Sequence, residues 1–198
     1  FLLSLAYPKI FLFLRRVNMR KKTILFIAEV SIFTALGLVL DLLAGVYSGL
    51  LWPNGGSMTL AFVPIFIMGY KHGLKGGLLT GLLIGTIQLI WSSYLINFAQ
   101  VLLDYIIPNV VLGLVGIVSK QVLTSSPLKK NIYICVSIII VSVLRLASLV
   151  ASGMLYWSTP FGGSLVYNGT FTLISCVASL IVTIILENTL YKNNFMTE

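Results

Sequence analysis

Six long runs of apolar residues make up most of this chain, and they constrain its fold more than any other feature. The runs cover residues 23–44, 58–70, 74–91, 99–119, 131–153 and 169–191. A helix that crosses a bilayer needs about 20 mostly apolar residues, and its backbone polar groups must be satisfied internally. The pattern therefore predicts an all-α polytopic membrane protein with six transmembrane helices. The second run is short, so we expect the second and third runs to form a hairpin with one short or tilted arm.

Composition excludes a water-soluble domain, and the continuity of the runs excludes a membrane β-barrel. Charged residues make up only 9% of the chain and apolar residues 58%, whereas about 25% charged residues is usual in soluble proteins. A barrel would show segments of roughly ten residues with alternating polarity. The runs here are unbroken, so the bilayer is the solvent that this chain requires.

The connections between the runs are alternately basic and free of charge. The basic segments contain Arg15, Arg16, Arg20, Lys21, Lys22, Lys71, Lys75, Lys120, Lys129, Lys130 and Lys192. The connections at 45–57, 92–98 and 154–168 contain no charged residue. Cytoplasmic loops are enriched in lysine and arginine, so both termini and the basic connections are predicted to be cytoplasmic. This orientation explains the net charge of +8, and no nucleic-acid partner is expected.

The chain is expected to have three segments. Residues 1–22 are predicted to be an N-terminal extension and basic cytoplasmic segment, residues 23–191 a six-helix membrane domain, and residues 192–198 a cytoplasmic tail. The apolar stretch before Met19 is short, and Pro8 and Lys9 interrupt it. We therefore interpret it as an upstream extension or an interfacial segment and not as a span.

Small residues at four-residue spacing indicate where helices approach one another. Gly73, Gly77, Gly81 and Gly85 place a groove along one face of the third run, and such grooves let helix backbones pack closely in lipid. Ser31 and Ala35 have the same spacing in the first run. Packing within the bundle is the first interpretation of both sets.

Aromatic residues gather at the charge-free connections. All three tryptophans, Trp52, Trp91 and Trp157, lie in or beside them. One interpretation is an interfacial aromatic belt, but a belt alone would place tryptophan on both sides of the membrane. The other is a wet cleft for a flat or cationic ligand, which aromatic rings bind through cation–π contacts.

One acidic residue marks a candidate site. Asp104 lies near the outer start of the fourth run, and ionisable residues at membrane depth are costly and usually functional. The alternative is a structural pair with Arg145, the basic residue of the fifth run. Asp41 is interpreted as structural. Asn168 begins a formal glycosylation sequon, and it is also suited to bind a ligand or to cap the sixth helix.

Signatures of catalysis and of metal binding are absent from the sequence. It contains no P-loop, GxSxG or HExxH motif, and Cys135 and Cys176 lie within apolar runs, as small hydrophobic residues do. We expect neither an enzyme nor a cofactor, and no metal site. A transport role would draw its energy from a partner.

Several groups of residues, in order, match one known family. They are Pro64-Ile65-Phe66; Gly73-Leu74-Lys75-Gly76-Gly77-Leu78 with Gly81; Tyr94 followed by Asp104-Tyr105; Arg145 with Ser152-Gly153 and Trp157; and Asn168-Gly169. Over about residues 23–191 the chain resembles the thiamine-specific substrate-binding subunit (S component) of energy-coupling-factor (ECF) transporters.

The resemblance implies a substrate-binding domain whose six helices enclose an outward-facing pocket for thiamine. By position, the implied ligand contacts are Trp52, Tyr94, Asp104, Tyr105, Trp157 and Asn168. Asp104 would accept hydrogen bonds from the pyrimidine, and Trp157 would face the cationic thiazolium. Ser31 and Ala35 resemble a docking motif for a transmembrane coupling subunit, although Val39 fills its third small position. Two ATPase subunits and a location in a bacterial cell membrane are also implied.

Three positions depart from the family pattern and keep other ligands open. Asp104 replaces a glutamate, Leu149 a histidine and Gly163 a tyrosine. The aromatic residues nearby that could compensate are Tyr156, Phe161 and Tyr167. Alternatives are an S component for another vitamin or a thiamine precursor, a non-transport membrane scaffold, and a self-sufficient secondary carrier. The charge-free outer loops argue against a phosphate ester.

Overall fold

Helices form all the regular secondary structure that this computed structural model describes. It describes the backbone of residues 2–48, 51–52, 55–92 and 95–192, and the side chains of these ranges between residues 21 and 189. The helices are α1 (Leu2–Ser48), α2 (Phe62–Ile87), α3 (Phe98–Val101), α4 (Ile107–Leu112), α5 (Ser119–Thr124), α6 (Pro127–Tyr156) and α7 (Phe161–Lys192). The 3-10 turns Gln88–Ile90 and Gly113–Val118 and a π-helical turn, Leu102–Ile106, extend or join them. Helix α1 passes through residues 22–23 without a break, and the three-segment division stays a prediction.

Five helical stretches of the described chain are long and apolar enough to cross a membrane. They are Lys21–Ser48, Phe62–Ile90, Phe98–Thr124, Pro127–Tyr156 and Phe161–Thr189. The prediction of an all-helical, multi-pass membrane protein is therefore confirmed. Six spans were predicted and five such stretches are found, because the second and third predicted runs form one stretch, α2 with its 3-10 extension.

Helix α2 is a hairpin folded at Gly73. This residue has φ 67° and ψ −160°, a backbone conformation that glycine adopts without a steric penalty. Residues 61 and 84 would be about 34 Å apart along a straight helix. Both instead lie beside Gly37 of α1: a Cβ there would be 3.6 Å from the Ala61 carbonyl oxygen and would contact the Ile84 side chain. The predicted hairpin, with its short first arm, is therefore present.

The predicted glycine groove holds the second arm of this hairpin against the chain between residues 105 and 116. A Cβ on Gly77 would be 2.9 Å from the Cα of Gly113, and one on Gly81 would be 2.9 Å from the carbonyl carbon of Asn109. A Cβ on Gly85 would be 2.7 Å from the carbonyl oxygen of Tyr105. These approaches fix an antiparallel register that places Tyr105 beside the end of α2.

The basic connections meet at one end of the bundle. Glu29 of α1 is buried and accepts a 2.9 Å hydrogen bond from the Lys71 ammonium, and its other oxygen contacts His72. At the same end Lys130 of α6 donates to the Glu187 carbonyl oxygen of α7 at 3.1 Å. The charge-free connections therefore lie together at the opposite end.

Helix α7 begins earlier than the sequence predicted. It starts at Phe161, whereas the sixth run was expected from residue 169, so the expectation that Asn168 opens or caps this helix is wrong. Pro160 accepts the first turn's hydrogen bond from the Ser164 amide at 2.9 Å, and the fixed φ of proline suits a helix start. Gly162 and Gly163, in the predicted connection at 154–168, lie inside this helix, and membrane helices tolerate glycine.

Candidate ligand-binding site

Two adjoining cavities lie at the charge-free end, with volumes of about 360 and 410 Å³. Small-molecule sites are usually about 300–1,000 Å³. The wall that the cavities share consists of Gly55, Gly56, Asp104, Tyr105, Leu149 and Phe171. The first cavity is also lined by Gly153, Trp157, Thr159, Gly163, Ser164, Tyr167 and Asn168. The second is also lined by Asp41, Leu42, Gly45, Trp52, Ser57, Gln88, Trp91, Ser92 and Arg145.

A π-helical turn presents Asp104 and Tyr105 to both cavities. In a regular helix the amide of residue 108 would bond to the carbonyl of Asp104, but Pro108 has no N–H and its ring crowds that carbonyl. The helix widens instead, and the Ile107 amide bonds to the Leu102 carbonyl five residues back. Such π turns are frequent at functional sites. Here the sequence cause is the proline four residues after the acid.

Two of the described side chains donate hydrogen bonds to the Asp104 carboxylate. The Gln100 amide donates to Oδ2 at 2.6 Å, and the Trp157 indole N–H donates to the same oxygen at 3.3 Å. Gln100 is fully buried, and its side-chain oxygen accepts from the Ile96 amide at 3.1 Å. Both bonds to Asp104 use Oδ2, so Oδ1 can accept a hydrogen bond from a ligand.

Trp157 closes α6 and forms a wall of the first cavity. The next residue, Ser158, has φ 48°, an uncommon value for a residue other than glycine. The Thr159 amide then donates to the Gly153 carbonyl at 3.1 Å and ends the helix. This turn holds the indole against Asp104, and Trp157 remains 37% exposed. An aromatic face beside a carboxylate suits an organic cation.

Helix α7 supplies the other wall of the first cavity. Gly153 of α6 lets Ser164 approach, since a Cβ there would contact the serine side chain. The Asn168 Nδ2 donates to the Ser164 carbonyl at 3.0 Å, which leaves Oδ1 for a ligand. The Tyr167 hydroxyl accepts from the Gly56 amide at 3.3 Å, and its ring meets Phe171 edge-on with centroids 5.9 Å apart.

Trp52 lines the second cavity and not the first. Its indole N–H donates to the Thr170 hydroxyl at 3.0 Å, and its ring meets Phe171 edge-on at 6.2 Å. On the shared wall, the Tyr105 hydroxyl accepts a hydrogen bond from Ser92. Aromatic side chains from three parts of the chain therefore surround the region where the two cavities adjoin.

The suggested pairing of Asp104 with Arg145 is wrong. The Arg145 Nη1 donates to the Asn109 side-chain oxygen at 3.3 Å, and its guanidinium carbon lies 4.6 Å from the centre of the Phe62 ring. The carboxylate that interacts electrostatically with Arg145 is Asp41. Asp41 was interpreted as structural, yet it lines the second cavity. Helical spacing alone does not show which of two distant acids faces an arginine.

The structure brings together most of the predicted contact residues. Asp104, Tyr105, Trp157 and Asn168 share the first cavity, and Trp52 faces Asp104 and Tyr105 in the second. Tyr94 lies outside the described residues. The other two departures from the family pattern, Leu149 and Gly163, also line the first cavity. Of the three aromatic residues considered as replacements there, Tyr167 lines the cavity, whereas Tyr156 and Phe161 do not.

Sequence reasoning missed Gln100, Ser164 and Phe171. Gln100 precedes Asp104 by four residues, a spacing that brings side chains together on a helix, so this signal was available. Phe171 follows Tyr167 by four residues and was available in the same way once α7 was known to begin early. Ser164 had no separate signal.

Ser31 and Ala35 lie apart from both cavities, on an exposed face of α1. Both are exposed, as are the neighbouring Leu36 and Val39, and the Ser31 hydroxyl donates to the Ile27 carbonyl of its own helix. The first interpretation, in which these two residues pack within the bundle, is therefore wrong. Their face is open to lipid or to a partner.

Comparison with known proteins agrees with the fold and with the resemblance seen in the sequence. A family model described as "Thiamine transporter protein" matches residues 27–194. The chain is 32% identical over 179 residues to a protein of Bacillus subtilis (strain 168) named thiamine transporter ThiT, a match covering 84% of this chain and 92% of that protein. A solved structure of ThiT from Listeria monocytogenes has a TM-score of 0.68 with 23% identity, covering 87% of this chain and 96% of the other. This second likeness shows the shared fold. By the family match and the Bacillus relative, the chain belongs to the thiamine transporter protein family.

Proposed function

We propose that this chain captures thiamine as the substrate-binding subunit, or S component, of an ATP-driven ECF-type importer. The observation that carries the proposal is the Trp157 indole bonded to the Asp104 carboxylate in the wall of a 360 Å³ cavity. Thiamine joins a cationic thiazolium to an aminopyrimidine. An indole face binds the thiazolium, and Oδ1 of Asp104 and Oδ1 of Asn168 accept hydrogen bonds from the aminopyrimidine.

Capture requires no chemistry on the ligand. The cavity walls offer aromatic rings, one shared carboxylate and hydrogen-bonding amides and hydroxyls, which bind and orient a ligand. We therefore assign the chain no enzymatic step and no cofactor. Energy for import comes from partners, namely a transmembrane coupling subunit and two ATPase subunits.

The cavities are proposed to face the outside of a bacterial cell, with both termini in the cytoplasm. The clustering of basic connections at one end of the bundle supports this orientation through the preference of lysine and arginine for the cytoplasmic side. Labelling of single cysteines tests it in a chain whose Cys135 and Cys176 have been replaced. An impermeant thiol reagent added to intact cells should label Thr159→Cys and leave Lys129→Cys unlabelled. Labelling of both positions would refute the orientation.

The exposed face of Ser31 and Ala35 is proposed to dock on the coupling subunit. Small side chains there would let two membrane helices approach closely. Ala35→Trp should therefore abolish thiamine uptake by the assembled importer while the isolated chain still binds thiamine. Uptake at the wild-type rate would remove this face from the docking surface.

Tryptophan fluorescence of the purified chain tests capture itself. Thiamine should quench the emission at submicromolar concentration, and Trp157→Ala should lose most of that quenching. Competition with a panel of vitamins and thiamine precursors separates thiamine from another ligand of the same importer class. If no compound changed the fluorescence, the hypothesis of a non-transport membrane scaffold would be favoured.

A further inference from the structure

The second cavity contains charges that thiamine capture does not require. Asp41 and Arg145 both line it, and Asp104 belongs to the wall that it shares with the first cavity. Together the joined cavities present two carboxylates and one guanidinium. A ligand in either cavity therefore meets a net negative site.

Arg145 is already engaged by the protein. Its Nη1 bonds to Asn109 at 3.3 Å, and its guanidinium lies over the Phe62 ring. Asp41 interacts with it electrostatically, although the direct salt bridges formed by the described side chains join other residues. The two charged residues thus line one cavity without forming a salt bridge to each other, and Asp41 offsets Arg145, the one cation among the described lining residues.

We infer that Asp41 is a specificity-determining residue, which makes this site favour the unphosphorylated vitamin over its phosphate esters. This inference rests on the proposed capture of thiamine and names the ligand class more narrowly. A phosphate group would be repelled by Asp104, and Asp41 would offset the attraction of Arg145 for it. One unit charge about 8 Å away, at an effective dielectric constant of about 20, changes affinity by more than about tenfold.

The inference is tested by the ratio of two dissociation constants, that of thiamine monophosphate over that of thiamine. Removing the Asp41 charge with Asp41→Asn leaves Arg145 free to attract the phosphate and weakens attraction for the cation. The ratio should therefore fall by about tenfold or more. Competition against labelled thiamine on the purified chain measures both constants under one condition.

Gln88 allows the same test without disturbing the Asp41–Arg145 interaction. Its side chain lines the second cavity and is only partly buried, so both Gln88→Lys and Gln88→Glu should fold. The lysine variant should lower the ratio, and the glutamate variant should raise it. Gln121 is exposed on α5, at the opposite end of the bundle, and Gln121→Lys and Gln121→Glu provide matched controls that should leave the ratio unchanged.

The outcomes separate this inference from the proposed function. If the wild-type chain binds thiamine but the Asp41→Asn and Gln88 variants keep the wild-type ratio, Asp41 does not set specificity. A wild-type chain that binds the monophosphate more tightly than thiamine would also overturn the inference. Failure of the wild-type chain to bind either compound would instead refute thiamine capture, and the inference would fall with it.

Discussion

Replacing Trp157 by alanine should weaken thiamine binding by about 30- to 150-fold. The substitution removes the aromatic face beside Asp104 and the indole donor 3.3 Å from its Oδ2. A desolvated cation–π contact contributes up to about 2 kcal/mol, and a hydrogen bond of this length about 1 kcal/mol or less. Their sum is about 2–3 kcal/mol, which corresponds to the stated loss of affinity. Trp157→Phe keeps an aromatic face and loses the donor, so its loss should be only about fivefold.

Isothermal titration calorimetry is the suitable assay because it does not depend on the fluorescence of the residue that is changed. Trp91→Ala is the matched control: Trp91 is also 37% exposed and lines a cavity at the same end. It makes none of the described bonds to Asp104, and its loss should cost less than about threefold in affinity. An unchanged Kd in Trp157→Ala, or an equal loss in both alanine variants, would refute the assignment of the thiazolium to Trp157.

Further substitutions test the ligand acceptor and the packing that supports it. Asp104→Asn should weaken thiamine binding by about 10- to 150-fold, because hydrogen bonds to a charged acceptor contribute about 1.5–3 kcal/mol; calorimetry showing no loss would exclude this carboxylate from the site. Gly81→Ala should lower stability by about 2 kcal/mol, because its Cβ would contact the Asn109 backbone. Gly169→Ala, where a Cβ would meet nothing within 4 Å, should be neutral or stabilising in thermal unfolding, and equal effects at both glycines would disprove the groove. Glu29→Gln should lower stability by about 3 kcal/mol by removing a buried charge partner of Lys71, while the Kd for thiamine stays unchanged; a wild-type melting temperature would contradict this.

Periodic features of the sequence predicted the fold well. Unbroken apolar runs required membrane helices, the short second run predicted a hairpin, and the glycines from Gly73 onward predicted close packing within the bundle. These predictions hold because lipid allows few backbone conformations and because close backbone contact requires glycine. The start of α7 was mispredicted because residues 161–168, which include two glycines, were assigned to the charge-free connection, whereas the helix begins at Phe161.

The candidate site was predictable at the level of residue type and position along the chain, and less so in its internal contacts. Tryptophans at the charge-free connections and an acid at membrane depth marked Trp157 and Asp104 as candidate site residues, and both line the first cavity. The partner of Arg145 was not predictable, because it depends on how α1 and α6 are rotated about their axes. Side-chain packing sets that rotation, and no local pattern in the sequence encodes it.

Equilibrium dialysis of the purified wild-type chain against radiolabelled thiamine tests thiamine capture most directly. We predict saturable binding of one thiamine per chain with a submicromolar Kd and full displacement by unlabelled thiamine. A folded chain that shows no saturable binding of thiamine at micromolar concentration would contradict its assignment as the capturing subunit.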